Sequence, residues 1–234
     1  MPAPDAAAPT GTRARGSRDL VALGATIVVL LSWNLGRRAY VPGDAHLPAN
    51  LAMAAVFGAI GVAGGLGWDG FGLRRDRLLR GLAYGGVVFG AVLVGLSVIG
   101  AIPATSGALA DDRVHVSLPR MAFEVLIAIP FGTVVLEELA FRGTLLGLLR
   151  GRLATVPAVA ACSILFGLWH LNGVLYDDAG NLAAAAALGT VVATTIAGVG
   201  FAWLRIRSDS LIAPMVAHVA TNSLTFAVAW TYAR

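Results

Sequence analysis

Long apolar runs alternate along the chain with short polar segments that contain most of its arginines. A helix that crosses the hydrocarbon core of a membrane needs about 20 predominantly apolar residues, so a chain of this length has room for about eight such helices and little else. The pattern therefore predicts an all-α fold, a polytopic integral membrane bundle of seven transmembrane helices joined by short loops. The predicted spans are residues 20–35, 51–68, 81–102, 121–149, 153–171, 182–204 and 211–232.

The composition places the chain among membrane proteins. Of its 234 residues, 57% are apolar and only 13% are charged, and the mean hydropathy is +0.78. A soluble domain averages about 25% charged residues, so a large soluble domain is excluded. The single cysteine, Cys162, excludes an internal disulfide and a cysteine-based metal cluster.

The basic residues indicate orientation rather than nucleic-acid binding. All 17 of them are arginine, and they lie between the apolar runs instead of along one face. The positive-inside rule then places the N-terminus in the cytoplasm. We expect residues 1–19 to form a disordered cytoplasmic lead. Residues 20–118 are expected to form the N-terminal transmembrane helices. The Ala- and Arg-rich, lysine-free composition is typical of a GC-rich bacterium, so we expect a bacterial plasma membrane, with the lipid bilayer and no nucleic acid as partner.

Three charged residues lie close together in the middle of the fourth apolar run: Glu137, Glu138 and Arg142. An ionisable group inside a span costs about 2.5–3.5 kcal/mol on insertion scales, so it usually faces a cavity or a partner. Glu138 and Arg142 are four positions apart and share a helix face, where they can form an ion pair. Glu137 lies about 100° away around the helix and can point into an intramembrane polar cavity as a general base. The structural alternative is a buried Glu–Arg pair that locks two helices together.

Two later runs each carry a histidine with a partner four positions away on the same helix face. The pairs are Phe166 with His170 and His218 with Asn222. At about 1.5 Å per helical residue from the flanking arginines, His218 reaches the depth of the glutamates, whereas His170 lies deeper unless its helix starts late. Pro157 favours a late start, because proline suits the first turn of a helix.

A carboxylate, two imidazoles and an amide that converge in a polar cavity admit two chemistries. In the first, Glu137 and His170 hold and deprotonate a water, while His218 and Asn222 donate hydrogen bonds to the oxyanion at an attacked carbonyl. In the second, His170, His218 and a glutamate are ligands of a zinc ion whose fourth position is a water. Both hydrolyse a peptide bond, and the spacing does not separate them.

The motifs Glu-Glu-x-x-x-Arg, Phe-x-x-x-His and His-x-x-x-Asn occur in this order within a polytopic chain. In this arrangement the chain resembles the CPBP family of intramembrane proteases, the CAAX-protease and bacteriocin-processing (Abi-type) group. The resemblance covers about residues 119–232 and implies a catalytic core at residues 119–234. Because the family is usually drawn with about eight transmembrane helices, the expected number is seven or eight.

The resemblance implies an intramembrane endopeptidase, a hydrolase that cuts membrane-associated proteins or peptides with a water activated by Glu137. The family is commonly labelled as metalloprotease, while a metal-free glutamate mechanism has also been argued, so both alternatives stay open. In the metal-dependent one, zinc would be bound by Glu137, His170 and His218. Phe166 and Trp169, beside His170, are the predicted substrate contacts. The implied catalytic residues are Glu137, Glu138, Arg142, His170, His218 and Asn222.

Two other functions compete with proteolysis. Glutamates and histidines inside a membrane also make the proton relays of proton-coupled transporters, although the sequence has no internal repeat of the kind that many transporters contain. A catalytically silent scaffold or immunity protein would keep the fold and the motifs without hydrolysis.

Overall fold

The computed structural model describes residues 16–102, 114–174 and 183–232. The regular structure in these ranges is helical, without any strand, which confirms the all-α prediction. Short 3-10 turns lie at Gly43–Ala45, Arg75–Arg77 and Leu171–Gly173. The helices are α1 (Ser17–Tyr40), α2 (His46–Ala63), α3 (Trp68–Phe71), α4 (Leu78–Ala101), α5 (118–149), α6 (Thr155–Trp169), α7 (Ala184–Ser208) and α8 (Ile212–Tyr232).

Five stretches in the described ranges are long and apolar enough to cross a membrane, and they make the chain a multi-pass membrane protein. They contain α1, α2, α4, α7 and α8. α6 is apolar but has only 15 residues, which is shorter than the roughly 20 that a membrane core requires. α5 carries Glu137, Glu138 and Arg142 in its middle and is not among the five. The predicted number of seven or eight spans is therefore not confirmed.

The N-terminal boundary differs from the prediction. α1 begins at Ser17, inside the stretch 1–19 that was expected to be a disordered lead, and residues 1–15 lie outside the described ranges. Asp19, in the first turn of α1, is 3% exposed and accepts hydrogen bonds of 2.6 and 2.9 Å from the Arg152 guanidinium. This ion pair attaches the start of α1 to the loop between α5 and α6, so residues 17–19 belong to the folded part.

α5 is one continuous helix with two wide, π-helical segments. These are Glu124–Val134 and Leu139–Leu145, and Val135–Glu138 between them is α-helical. Pro130, which has no N–H to donate, lies inside the first π-helical segment. Such turns are rare and occur frequently at functional sites. Both glutamates of the Glu-Glu motif lie in the short α-helical segment at this junction.

α8 has the same kind of irregularity beside its histidine. It is α-helical over Ile212–Val219, π-helical over Ala220–Leu224 and α-helical again over Thr225–Tyr232. His218 is the last residue but one of the first segment, and Asn222 lies within the π-helical turn. The two residues of this motif are therefore not on one regular α-helical face.

Glycine allows α4 to approach α8 closely. A Cβ atom on Gly85 would lie 2.6 Å from the Cβ atom of Val216, and one on Gly81 would overlap the hydroxyl oxygen of Ser210, just before α8. Both glycines are buried, and glycine spaced in this way lets helix backbones pack tightly in a membrane. The contact holds the half of α8 that carries His218 against the bundle.

Aromatic side chains form the centre of the bundle. Phe57 of α2, Phe141 of α5, Phe166 of α6 and Phe201 of α7 belong to one hydrophobic cluster, and each is 6% exposed or less. Because the cluster joins four helices, it fixes their relative positions around the charged residues of α5.

Candidate active site

Glu137 and Glu138 project from α5 towards different neighbours. Their exposed fractions are 5% and 0%, so both carboxylates lie inside the protein. Glu138 contacts α8 and a residue of its own helix, and Glu137 contacts the end of α6. A buried carboxylate requires an opposite charge or hydrogen-bond donors, because an unpaired one is strongly destabilising.

Glu138 is held by an arginine and a histidine. Its Oε1 atom accepts hydrogen bonds from Arg142 Nη1 at 3.0 Å and from His218 Nδ1 at 2.8 Å. Its Oε2 atom has no hydrogen-bond partner among the described residues. The Arg142 side chain is also fully buried, and the predicted Glu138–Arg142 ion pair is confirmed. Through His218 the pair also links α5 to α8.

Aromatic rings enclose the Arg142 guanidinium. Its central carbon lies 4.0 Å from the ring centroid of Phe166, 5.1 Å from that of Phe201 and 5.9 Å from that of Phe141. Attraction between a cation and an aromatic face extends to about 6 Å and is stronger where water is excluded. Arg142 Nη2 also donates to the Gly198 carbonyl of α7 at 3.4 Å. These contacts stabilise a charge that the membrane interior would otherwise disfavour.

Glu137 has one bound and one unbound oxygen. Its Oε1 atom accepts a hydrogen bond of 3.0 Å from the indole nitrogen of Trp169. Its Oε2 atom is buried without a hydrogen-bond partner among the described residues. This oxygen lies 3.9 Å from His170 Nε2 and 3.8 Å from His218 Nε2. The two predicted histidines therefore converge on a single oxygen of the predicted base.

The other nitrogen of each imidazole determines what faces Glu137. His170 Nδ1 lies 2.8 Å from the Phe166 carbonyl oxygen, which can only accept, so Nδ1 carries a proton. His218 Nδ1 lies 2.8 Å from the Glu138 carboxylate and donates to it. His218 is also stacked on Phe201, with ring centroids 4.8 Å apart. Both Nε2 atoms are consequently directed at the space beside Glu137 Oε2.

α6 brings His170 to the site by ending there. It begins at Thr155 with Pro157 in its first turn, which is two residues, or about 3 Å, later than the start predicted at residue 153. His170 is the residue that follows its last helical position, and its side chain is 28% exposed. It is thus the more accessible of the two imidazoles, since the His218 side chain is 4% exposed.

The predicted zinc ligands have suitable chemistry but are too far apart. A tetrahedral zinc ion with bonds of about 2.0–2.1 Å holds its ligand atoms about 3.3 Å from one another. The Nε2 atoms of His170 and His218 lie 3.9 and 3.8 Å from Glu137 Oε2. Within the described ranges, no group of three or more His, Cys, Asp or Glu side chains could hold a metal ion. The arrangement as it stands does not fit zinc, and metal binding stays a prediction.

The remaining predicted residues have different positions. Asn222 accepts a hydrogen bond of 3.4 Å from the Thr221 hydroxyl, and the described contacts do not join it to the glutamates. Phe166 is 1% exposed and packs on Arg142, whereas Trp169 is 7% exposed and binds Glu137. Their catalytic and substrate-binding roles stay predictions.

Several residues of the site carry no recognisable signal in the sequence. Phe201 and Gly198 of α7 contact His218 and Arg142, but they look like any other residues of an apolar span. The indole of Trp169 was expected near the substrate, and its contact with Glu137 was not predicted. Such contacts join residues of different helices, so neither local spacing nor hydropathy reveals them.

One family model matches the part of the chain that contains this site. Residues 119–224 match the family model described as type II CAAX prenyl endopeptidase Rce1-like. Neither the comparison with curated proteins nor that with solved structures gives a match. The matched segment contains α5, α6, α7 and the part of α8 that carries His218 and Asn222. Residues 119–224, which hold the glutamate and histidine cluster, therefore belong to the CPBP/CAAX protease family.

Proposed function

We propose that the protein is an intramembrane endopeptidase in which Glu137 activates the water that attacks a peptide bond. The observation that carries this proposal is the buried Oε2 atom of Glu137, which faces His170 Nε2 and His218 Nε2 at 3.9 and 3.8 Å. These gaps are too long for direct hydrogen bonds, and a polar gap beyond about 3.5 Å is commonly bridged by water. Membership of residues 119–224 in a protease family supports hydrolysis.

The proposed proton-accepting atom is Oε2 of Glu137. Since Trp169 already donates to Oε1 of Glu137, the water is held at Oε2. His170 Nε2 accepts a hydrogen bond from the second O–H of the water and orients it, because Nδ1 of that ring donates to the Phe166 carbonyl and leaves Nε2 as an acceptor. Glu137 takes one proton as the water oxygen bonds to the peptide carbonyl carbon. The same proton then passes to the nitrogen of the departing amine as the carbon–nitrogen bond breaks.

His218 stabilises the oxyanion that forms during the attack. Its Nδ1 proton is donated to Glu138, so a donor at Nε2 requires the ring to be an imidazolium. In that state the charges of Glu137, Glu138, Arg142 and His218 sum to zero, which favours a buried cluster. Asn222, one turn further along α8, is the proposed second donor. A preorganised donor of this kind contributes about 2.7–4 kcal/mol to the stabilisation of an oxyanion.

The substrate is a protein or peptide that is associated with the membrane. A cavity of about 350 Å³ with mostly apolar walls lies between α1 and α6. Phe141 and Trp169 are among its lining residues, and Trp169 also binds Glu137. An apolar part of the substrate in this cavity would lie beside the base. We further propose a cytoplasmic N-terminus and a bacterial plasma membrane location, as the arginine distribution predicts.

The experiment compares wild type with Glu137→Gln and His218→Asn in proteoliposomes, against a mass-encoded library of lipid-anchored and unanchored peptides. Glu124→Gln is the matched control, because Glu124 is a glutamate of α5 that pairs with Arg120 away from the cluster. We expect Glu124→Gln to cleave like wild type and the other two variants to lose cleavage. Cleavage that survives both site substitutions would contradict the proposal.

The same preparations separate the two competing functions. A transporter would drive pH-dependent flux in liposomes without cutting any peptide, and Glu137→Gln would stop that flux. If the protein is a silent scaffold, wild type and Glu137→Gln would restore growth or immunity in a null strain equally well. Either result, together with no cleavage by wild type, would replace the endopeptidase.

A further inference from the structure

Asn34 is a buried polar residue in the apolar helix α1. It is 8% exposed, and its side-chain amide nitrogen donates a hydrogen bond of 2.8 Å to the Trp169 carbonyl oxygen. The backbone carbonyl oxygen of Asn34 accepts a hydrogen bond of 2.9 Å from the Asn172 side chain. Two hydrogen bonds therefore join α1 to the end of α6 and to the 3-10 turn that follows it, on either side of His170.

The acceptor of the first bond is one of the carbonyls that a helix leaves unpaired at its end. Trp169 is the last residue of α6, and the last four carbonyls of a helix have no partner within it. A buried carbonyl of this kind requires a hydrogen-bond donor from another part of the protein or from an ordered water. Asn34 supplies the donor from another helix and thereby fixes the position of the Trp169 backbone.

A second residue of α1 contacts the Trp169 ring. Arg37 lies almost one turn after Asn34, and its guanidinium carbon is 5.8 Å from the centroid of the Trp169 ring. This distance lies within the range of about 6 Å in which a cation is attracted to an aromatic face. α1 thus holds both the backbone and the ring of the residue whose indole nitrogen donates to Glu137 at 3.0 Å.

We infer that Asn34 is a positioning residue of the active site, which places the Trp169 indole so that Glu137 presents Oε2 to the histidines. The inference rests on the proposed function of Glu137. It extends the site to α1, which lies outside the segment 119–224 that the family model matches. Arg37 supports the same placement through the ring. The catalytic apparatus therefore includes a helix that none of the three motifs contains.

A purely structural role would have different consequences. Polar residues join helices in membrane bundles without any effect on chemistry, and their loss lowers stability alone. A positioning residue changes the orientation of Trp169, and with it the rate of the chemical step, so kcat falls.

The test uses Asn34→Leu, which keeps a similar volume and removes the donor. Its matched control is Thr26→Val. Thr26 is likewise a buried polar residue of α1, but it donates to the Ala22 carbonyl of its own helix at 2.7 Å. Two quantities are measured in the full-length protein: kcat and KM for the library peptide that wild type cuts fastest, and the indole nitrogen–proton NMR signal of Trp169. That signal is identified by its loss in Trp169→Phe.

For Asn34→Leu we expect kcat to fall roughly ten-fold, the size of effect that one lost hydrogen bond produces. KM is expected to change as well, because Asn34 lines the apolar cavity proposed for the substrate, so the inference is tested by kcat and by the Trp169 signal. The Trp169 signal should shift, and Thr26→Val should leave all three quantities unchanged. An Asn34→Leu protein with wild-type kcat and an unshifted Trp169 signal would overturn the inference.

A second variant covers the case in which Asn34→Leu does not fold. Arg37→Gln removes the cation over the ring but no buried hydrogen bond, and we expect a few-fold loss of kcat with a smaller shift of the same signal. Wild-type values for both would then overturn the inference. The NMR readout is independent of proteolysis, so a shifted signal in Asn34→Leu stands even if Glu137→Gln keeps cleaving and the proposed function fails.

Discussion

Glu137 and Glu138 are adjacent in the chain, yet their surroundings differ. Glu138 is bound to a cation and to an imidazole N–H, both at hydrogen-bond distance. Glu137 has a single neutral donor on one oxygen, and its other oxygen faces two imidazole nitrogens across gaps of nearly 4 Å. One side of α5 thus carries an ion pair that organises the bundle, and the next position carries the carboxylate that can accept a proton. Adjacent carboxylates can divide structure and chemistry because a helix directs them to different sides.

The comparison is tested most severely by Glu137→Gln. The amide keeps the size of the side chain and can still accept from Trp169, but it cannot take a proton from water. We expect kcat/KM to fall about 10²- to 10⁴-fold, the usual contribution of a general base. The midpoint of thermal unfolding in detergent should change little. A large drop in that midpoint with little loss of rate would show that Glu137 is the structural member of the pair.

Arg142→Leu should affect stability most. It leaves the Glu138 carboxylate buried without its cation, and breaking a buried pair in this way costs about 3–5 kcal/mol. The measurement is thermal unfolding in detergent, with exposed Arg74→Leu as the control, because the Arg74–Asp76 pair lies at the surface.

A double substitution sharpens the same point. Arg142→Leu combined with Glu138→Gln should recover part of the lost stability, because it removes the uncompensated charge. It should not recover cleavage, since His218 loses the carboxylate that its Nδ1 atom contacts. Recovery of the full rate by the double variant would mean that the Glu138–Arg142 pair plays no part in the chemistry.

Trp169→Phe should have a moderate effect. Phenylalanine keeps a ring in the aromatic cluster but removes the donor to Glu137 Oε1. Loss of one hydrogen bond to a charged group corresponds to about 1.5–3 kcal/mol, or roughly a 10- to 150-fold lower rate if all of it acts on the chemical step. The measurement is kcat on the best library peptide. An unchanged kcat would show that Trp169 does not orient the base.

Metal removal should have the smallest effect. Because the three candidate donors are spaced more widely than a zinc ion requires, we expect incubation with a chelator to leave the cleavage rate unchanged. The rate is measured before and after dialysis against the chelator, with metal content followed by mass spectrometry. Lost activity that returns on addition of zinc would contradict this expectation and give Glu137 a ligand role.

Local features of the site could be predicted from the sequence, but contacts between distant helices could not. The Glu138–Arg142 pair was predictable because residues four apart on a helix are neighbours. Pro157 in the first turn of α6 was predictable because proline suits that position. The bond from Trp169 to Glu137 joins residues of α6 and α5, and it depends on where α6 ends. Phe201, which lies over Arg142, and the second π-helical segment of α5 have no pattern that distinguishes them from ordinary apolar helix.

The same difference between local features and contacts of distant residues applies to the fold. Apolar runs predicted the helices and the membrane, but the short length of α6 and the charges of α5 leave the number of spans unconfirmed. The start of α1 was placed too late because its determinant, the contact of Asp19 with Arg152, joins residues 133 positions apart. Composition indicates that a polar N-terminus has little to bury, but it cannot indicate a partner so far along the chain.

That contact also has a consequence for biogenesis. α1 is synthesised before the other described helices. Its Trp33 donates to Asn50 of α2 over only 17 positions, whereas two other polar attachments, Asp19 to Arg152 and Asn34 to Trp169, join positions 133 and 135 residues apart. Contacts over such separations form only after the intervening chain has been made and inserted, because translation proceeds from the N-terminus. α1 therefore completes its contacts only after α5 and α6 have been made. Until α6 is in place, Glu137 of α5 lacks the Trp169 indole, and Asn34 of α1 lacks the Trp169 carbonyl to which it donates.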